Sequence, residues 1–200
     1  MRLFIAVNFD DEIKSRLLRV QSRIREQSLK GNFSRPENLH LTLVFFGETP
    51  PQQVPLIRSA MDRACAACQP FSLDFGSTGF FKHSGKELWW IGSDKAVVGQ
   101  AAIGRAATGQ VATDRAATGL QTLEKLRRSL AEGLCSAGVN FDERPFNPHI
   151  TLGREIRRTG PIELPKENIS VPINRLSLMK SEHSGGRLVY TAIYDIPLGA

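Results

Sequence analysis

The chain has 200 residues, a formal net charge of +6 and 41% hydrophobic against 23% charged residues, a balance that excludes extended disorder and allows one sizeable core or two small lobes. No apolar run approaches the roughly 20 residues of a membrane span, and the opening MRLFIAVNFDDEIK turns acidic too early for a signal peptide. Three cysteines cannot all pair within one chain, which suits a reducing compartment, so a cytoplasmic protein without a membrane partner is expected.

In chain order, RLFIAV reads as a short buried strand. Ile13, Leu17, Val20 and Ile24 then recur at the helical period behind Asp10, a candidate cap. LHLTLVFFGE alternates over its first half and stops at Gly47, which predicts a strand followed by a turn at Pro50 and Pro51. A second helix is expected from Val54 to Cys68. It ends in CAAC, whereas a redox pair opens a helix so that the dipole lowers the thiol pKa; helix-packed thiols are the simpler reading. FSLDFGSTGFF and ELWWIGS read as two strands joined by a turn in HSGK.

Residues 96–119 break the pattern. RAATG at 105–109 recurs at 115–119 within an Ala-, Gly- and Thr-rich stretch, read here as a low-complexity insertion in a surface loop. Leu120, Leu123, Leu126, Leu130 and Leu134 form the clearest amphipathic stripe, ending near Gly138. PHITLGR then reads as a strand, and ISVPINRLSLMKSEH and RLVYTAIYDIPL as β-rich runs around an SGG hairpin signal. The order strand, helix, His-x-Thr strand occurs in each half, so one α+β domain of two similar lobes over residues 1–200 is expected.

The chemistry sits in a repeat. NLHLTL at 38–43 and NPHITL at 147–152 each hold His-x-Thr, 109 positions apart, although four His and ten Thr in 200 residues would give only about 0.2 such triplets by chance. In a strand, His40 and Thr42 share one face while Leu41 and Leu43 take the other, and His149 and Thr151 stand likewise against Ile150 and Leu152. The wet face of any half-exposed strand carries such residues without function. Duplication with matched flanks favours two imidazoles facing each other across a cleft. Near their ordinary pKa of about 6.5, two histidines can hold opposite protonation states at neutral pH, one taking a proton from a nucleophile and one giving a proton to a leaving group. The threonines and Arg154 can stabilise negative charge on oxygen. In-line displacement at a phosphodiester suits this set, and no metal is required. Arg154 falls on the opposite face from His149 under strict alternation, so its use requires a bulge or strand end at Gly153.

RPENLHLTLVFFGE and RPFNPHITLGR, with MRLFIAV before and SGGRLVYTAIYDIPL behind, closely resemble the 2H phosphoesterases, and within them the bacterial RNA 2′,3′-cyclic phosphodiesterases, also called 2′-5′ RNA ligases. The resemblance spans nearly all of the chain except 96–119. It implies an α+β, bilobal and pseudo-symmetric fold of two antiparallel sheets around a central cleft, with helices outside. It also implies metal-free, cofactor-free hydrolysis of a ribose 2′,3′-cyclic phosphate to a 2′-phosphate by a monomer whose partner is RNA or an oligonucleotide with that end. The resemblance assigns His40 as acid and His149 as base, with the reverse assignment left open by the symmetry of the motifs; by motif position Thr42 and Thr151 complete the two halves, and Phe45 and Arg154 match substrate-contacting positions.

Three other readings compete. The same motifs serve other cyclic phosphates or 2′-5′ oligonucleotides, because recognition lies in loops. A basic RNA-binding protein without turnover would use Trp89 or Trp90 as an exposed stacking platform. A metallohydrolase is disfavoured: no acidic residue stands at ligand spacing from the motif histidines, His83 and His183 fall in Gly- and Ser-rich turns, and SGK at 84–86 does not complete a phosphate-binding loop.

Overall fold

The computed structural model describes residues 1–93 and 110–199, without the side chains of residues 83 and 110–117. The first strand, β1 (Arg2–Asn8), is buried along five consecutive residues: Leu3, Ile5 and Val7 enter the main core, while Phe4 and Ala6 pack on the opposite face with Met179, Phe45 and Tyr190. Helix α1 (Asp11–Glu26) starts where the Asp10 carboxylate accepts the Ile13 amide at 2.8 Å, and it buries Ile13, Leu17, Val20 and Ile24, each contributing about 1.5–3 kcal/mol. There follow β2 (Lys30–Phe33), a single turn of 3-10 helix at Pro36–Asn38, β3 (His40–Glu48) and α2 (Val54–Ala66).

FSLDFGSTGFF is not one strand. It divides at Gly76 into β4 (Phe71–Phe75) and β5 (Ser77–His83), which belong to different sheets; β6 (Lys86–Gly92) returns antiparallel to β5 through a turn with positive φ at Ser84 and Gly85. Helix α3 (Gln110–Ser136) begins ten residues before Leu120. The second RAATG is therefore helical, contrary to the loop expected there, and the first lies outside the described residues. An Ala-rich sequence favours this extension, and Gly119 is buried so close to β4 that a Cβ would stand 2.2 Å from the Ser72 carbonyl oxygen. The chain closes with β7 (His149–Arg157), β8 (Ile169–Ile173), β9 (Arg175–Ser184) and β10 (Arg187–Pro197). ISVPINRLSLMKSEH likewise divides, with β8 leaving to pair with β4.

The large antiparallel sheet runs β10-β9-β1-β3-β7-β6-β5, with β2 also on β7, and β4 and β8 form a separate pair. Its two halves meet at one backbone pair, Leu41 with Ile150, between the two His-x-Thr strands. The helices cross over: α1 lies against β2, β7 and β8, whereas α3 lies against β3, β4 and α2. Each half's helix thus covers the other half's motif strand, and one continuous apolar core runs beneath both, including Leu41, Leu43, Ile150 and Leu152.

Candidate active site

Alternation in β3 and β7 works as the pleat requires. Leu41, Leu43, Ile150 and Leu152 are at most 3% exposed, while His40, Thr42, His149 and Thr151 are half-buried on the opposite face. All four, with Phe45 and Arg154, line a single cleft of about 1060 Å³.

Phe45 and Arg154 reach that face because both strands carry a bulge at equivalent positions. Along β1, Ala6 pairs with Thr42 and Ile5 with Val44, so Leu43 is the extra residue; Phe4 then pairs with Phe45. Along β6, Trp90 pairs with Thr151 and Trp89 with Gly153, so Leu152 is the extra residue. An extra residue reverses the facing of everything beyond it. The bulge required at Gly153 is therefore present, and its counterpart lifts Phe45 onto the cleft face at the position matching Arg154. Immediately beyond Arg154, Glu155 adopts a left-handed φ of 54°, held by the Asn32 side-chain amide at 3.0 Å and an ion pair with Lys86.

The imidazoles are oriented identically. His40 Nδ1–H donates to the Asn38 carbonyl at 2.8 Å, and His149 Nδ1–H donates to the Asn147 carbonyl at 2.7 Å. Carbonyls only accept, so each bond assigns the proton of the neutral ring to Nδ1 and leaves Nε2 as a base. At His40, the Thr42 hydroxyl lies 2.9 Å from Nε2 and donates to it. Two aromatic rings flank each imidazole: Phe4 and Tyr190 at 4.9 and 5.2 Å from His40, Phe81 and Trp90 at 5.5 and 6.5 Å from His149.

This packing changes the protonation state expected from sequence. Desolvation pushes His40 down to about 4, reinforced by the Arg154 guanidinium and by His149, with the Asn38 carbonyl opposing. His149 is lowered for the same leading reason, with Arg154 adding to it and the Asn147 carbonyl opposing. Both rings are consequently neutral at pH 7 in the ligand-free protein. They do not stand near 6.5 with opposite charges.

The cleft wall adds residues that the sequence did not single out. Arg2, Arg35 and Arg187 make it basic, with Glu48 and Glu182 as counter-charges; His183, expected in a turn, instead lies in β9, paired with Leu188, and also lines the cleft. A repeated Asn two residues before each motif histidine is the one local signal of the orienting carbonyls. Trp89 and Trp90 are 1% and 3% exposed, which removes the stacking platform that a pure RNA-binding reading needs. Cys65 is buried, its thiol pushed up to about 12 chiefly by desolvation, and CAAC packs as a helix end. Among the described residues, no three His, Cys, Asp or Glu side chains converge as a metal-binding set.

A family model described as the 2′-5′ RNA ligase superfamily matches residues 9–185. A Thermus thermophilus relative named RNA 2′,3′-cyclic phosphodiesterase is 28% identical over 201 residues, covering 99% of this chain and 90% of its own length. One of the same name from Thermotoga maritima is 26% identical, covering 98% and 94%. A crystal structure of a Thermus thermophilus protein superposes with a TM-score of 0.73 at 26% identity, over 100% of this chain and 98% of the other. Escherichia coli LigT, crystallised with 3′-AMP, matches in fold with a TM-score of 0.67 at 22% identity over the same shares.

Proposed function

The chain belongs to the 2′-5′ RNA ligase superfamily, and we propose that it is an RNA 2′,3′-cyclic phosphodiesterase, opening the cyclic phosphate at an RNA end to a 2′-phosphate. The observation that carries this reading is the matched pair of imidazoles in one cleft, each with Nδ1 tied to a backbone carbonyl so that Nε2 is the nitrogen left for proton transfer, at His40 beside the Thr42 hydroxyl. The names of the relatives supply the substrate class.

The substrate ring holds phosphorus between O2′ and O3′. Water enters opposite O3′; His149 Nε2 accepts its proton as the new P–O bond forms, and His40 Nε2–H protonates O3′ as the P–O3′ bond breaks. His40 must therefore be protonated at the moment of reaction. The phosphate anion supplies the reason: negative charge between the rings offsets their desolvation and the Arg154 charge, raising both pKa values on binding. Thr42, Thr151 and Arg154 donate to phosphate oxygens, a role in which one preorganised donor is worth about 10²–10³ in rate. Phe45 offers a ring beside the same site, with the Arg2 guanidinium 5.1 Å from its centroid. Three free cysteines fit action in the cytoplasm.

A short RNA ending in 2′,3′-cyclic phosphate, incubated with the protein in EDTA, tests the reading through the identity of the product. A 2′-phosphate end is expected. A 3′-phosphate end, or an unaltered ring, would reject it.

A further inference from the structure

At each strand bulge a side chain from the crossing helix donates to the carbonyl of the extra residue. Gln21 of α1, only 3% exposed, interrupts an otherwise apolar stripe. Its Nε2 donates at 2.8 Å to the carbonyl of Leu152, the bulged residue of β7, and at 2.7 Å to the Ser34 carbonyl. The Ser34 amide also donates to Leu152 at 2.9 Å, and its hydroxyl to the Thr151 carbonyl at 2.8 Å. In the other half, Arg127 of α3 donates from Nε at 3.3 Å to the carbonyl of Leu43, the bulged residue of β3, while its guanidinium lies 4.9 Å over the Phe146 ring. Leu43 and Leu152 are 109 positions apart, the same spacing as the two histidines and as Phe45 and Arg154.

Resting on the proposed phosphodiesterase activity, we propose that Gln21 and Arg127 are positioning residues: each holds a bulge in the conformation that presents Arg154 or Phe45 to the substrate. Without Gln21 the Leu152 carbonyl keeps only the Ser34 amide and the Ser34 carbonyl loses its side-chain donor, so the tie from α1 is gone and the extra residue is free to shift along the strand. That shift returns the following side chain to the far face. Because α1 supports the second motif and α3 the first, the crossing also fixes the two half-sites relative to each other.

Gln21→Met keeps side-chain length and removes both donors. Its kcat should fall roughly 10- to 100-fold while KM changes little, because a displacement near 1 Å at the reacting centre has that effect. In an Arg154→Ala background the same change should alter kcat by less than about twofold, since the group it positions is gone. A crystal structure of Gln21→Met should show Arg154 withdrawn from the cleft. Equal losses in both backgrounds, no loss, or an unmoved Arg154 would overturn the proposal. If Gln21→Met does not fold, Arg127→Met carries the test against Phe45→Ala, with Arg127→Lys, which retains a donor, restoring activity. If neither Met variant folds, the donors are structural and the proposal fails. A wild-type protein inactive on the cyclic phosphate would reject the functional reading instead, and the crystallographic comparison would still decide this one.

Discussion

Replacing His40 by Asn should make the protein less sensitive to acid. In the folded state the imidazole is pushed down from 6.5 to about 4. Between those values the unfolded chain holds a proton that the native protein excludes, so acidification favours unfolding. The stability contributed by the neutral ring is fully present above pH 6.5 and is lost progressively toward pH 4. Integrated over that shift, the wild type should lose about 2 kcal/mol between pH 7 and pH 5 from this residue alone, and roughly 3 kcal/mol by pH 4. Denaturant unfolding of both proteins at pH 7, 6 and 5 measures it, because carboxylates and His149 contribute similarly to both and cancel in the difference. Packing lost in the Asn variant shifts that difference by a constant. A difference independent of pH would refute the claim that the aromatic flank desolvates His40.

Four further outcomes are expected. Gly119→Ala sets helix propensity, which favours Ala by about 1 kcal/mol, against a Cβ placed 2.2 Å from the Ser72 carbonyl; backbone cannot yield to that contact, so thermal unfolding should fall by several degrees for about 1–3 kcal/mol of destabilisation, and a rise would contradict the close packing of α3 on β4. Because both motif histidines are lowered, kcat/KM should follow a bell with its maximum below pH 6.5, its limbs belonging to the coupled pair. Arg154→Ala should reduce kcat roughly 10²- to 10³-fold and move that maximum toward alkaline pH, since it removes a charge that depresses both rings; Arg154→Lys should keep the maximum without recovering the rate, for want of the guanidinium fork, and near-normal turnover in both variants would place Arg154 outside the site. In the native protein at pH 8, exposed Cys135 should react with a thiol reagent and Cys65 should not, a pattern read by peptide mass; prompt labelling of Cys65 would contradict its burial.

The motif strands were legible because period-two alternation needs only local sequence, and the duplication supplied its own control. The bulge before Arg154 was also legible, since Gly153 stood where alternation had to break. Its counterpart at Leu43 was not: Leu-Val-Phe carries no breaker, and that bulge exists only in the register with β1. Strand β2 is not legible because KGNF neither alternates nor pairs locally, and its partner lies more than a hundred residues away. Continuous apolar runs around Gly76 and Asn174 look like single strands because a sequence does not say when a chain leaves one sheet for another. The lowered histidine pKa values are illegible in the sequence for a related reason. Their aromatic flanks come from β1 and β10 around His40 and from β5 and β6 around His149, and no spacing in the chain records that meeting. Gln21 was visible as a polar residue within an apolar stripe, but only the β7 bulge explains it.

The proposed mechanism makes the two histidines one acid–base unit on a terminal 2′,3′-cyclic phosphate. Single-turnover rates of the wild type, His40→Ala, His149→Ala and the double variant, measured on one end-labelled RNA in EDTA, address it most directly. Each single variant should fold and lose roughly 10²- to 10⁴-fold, and the double variant should be slower than the worse single one by no more than about threefold. Losses that multiply, or substantial turnover by either folded single variant, would contradict the account.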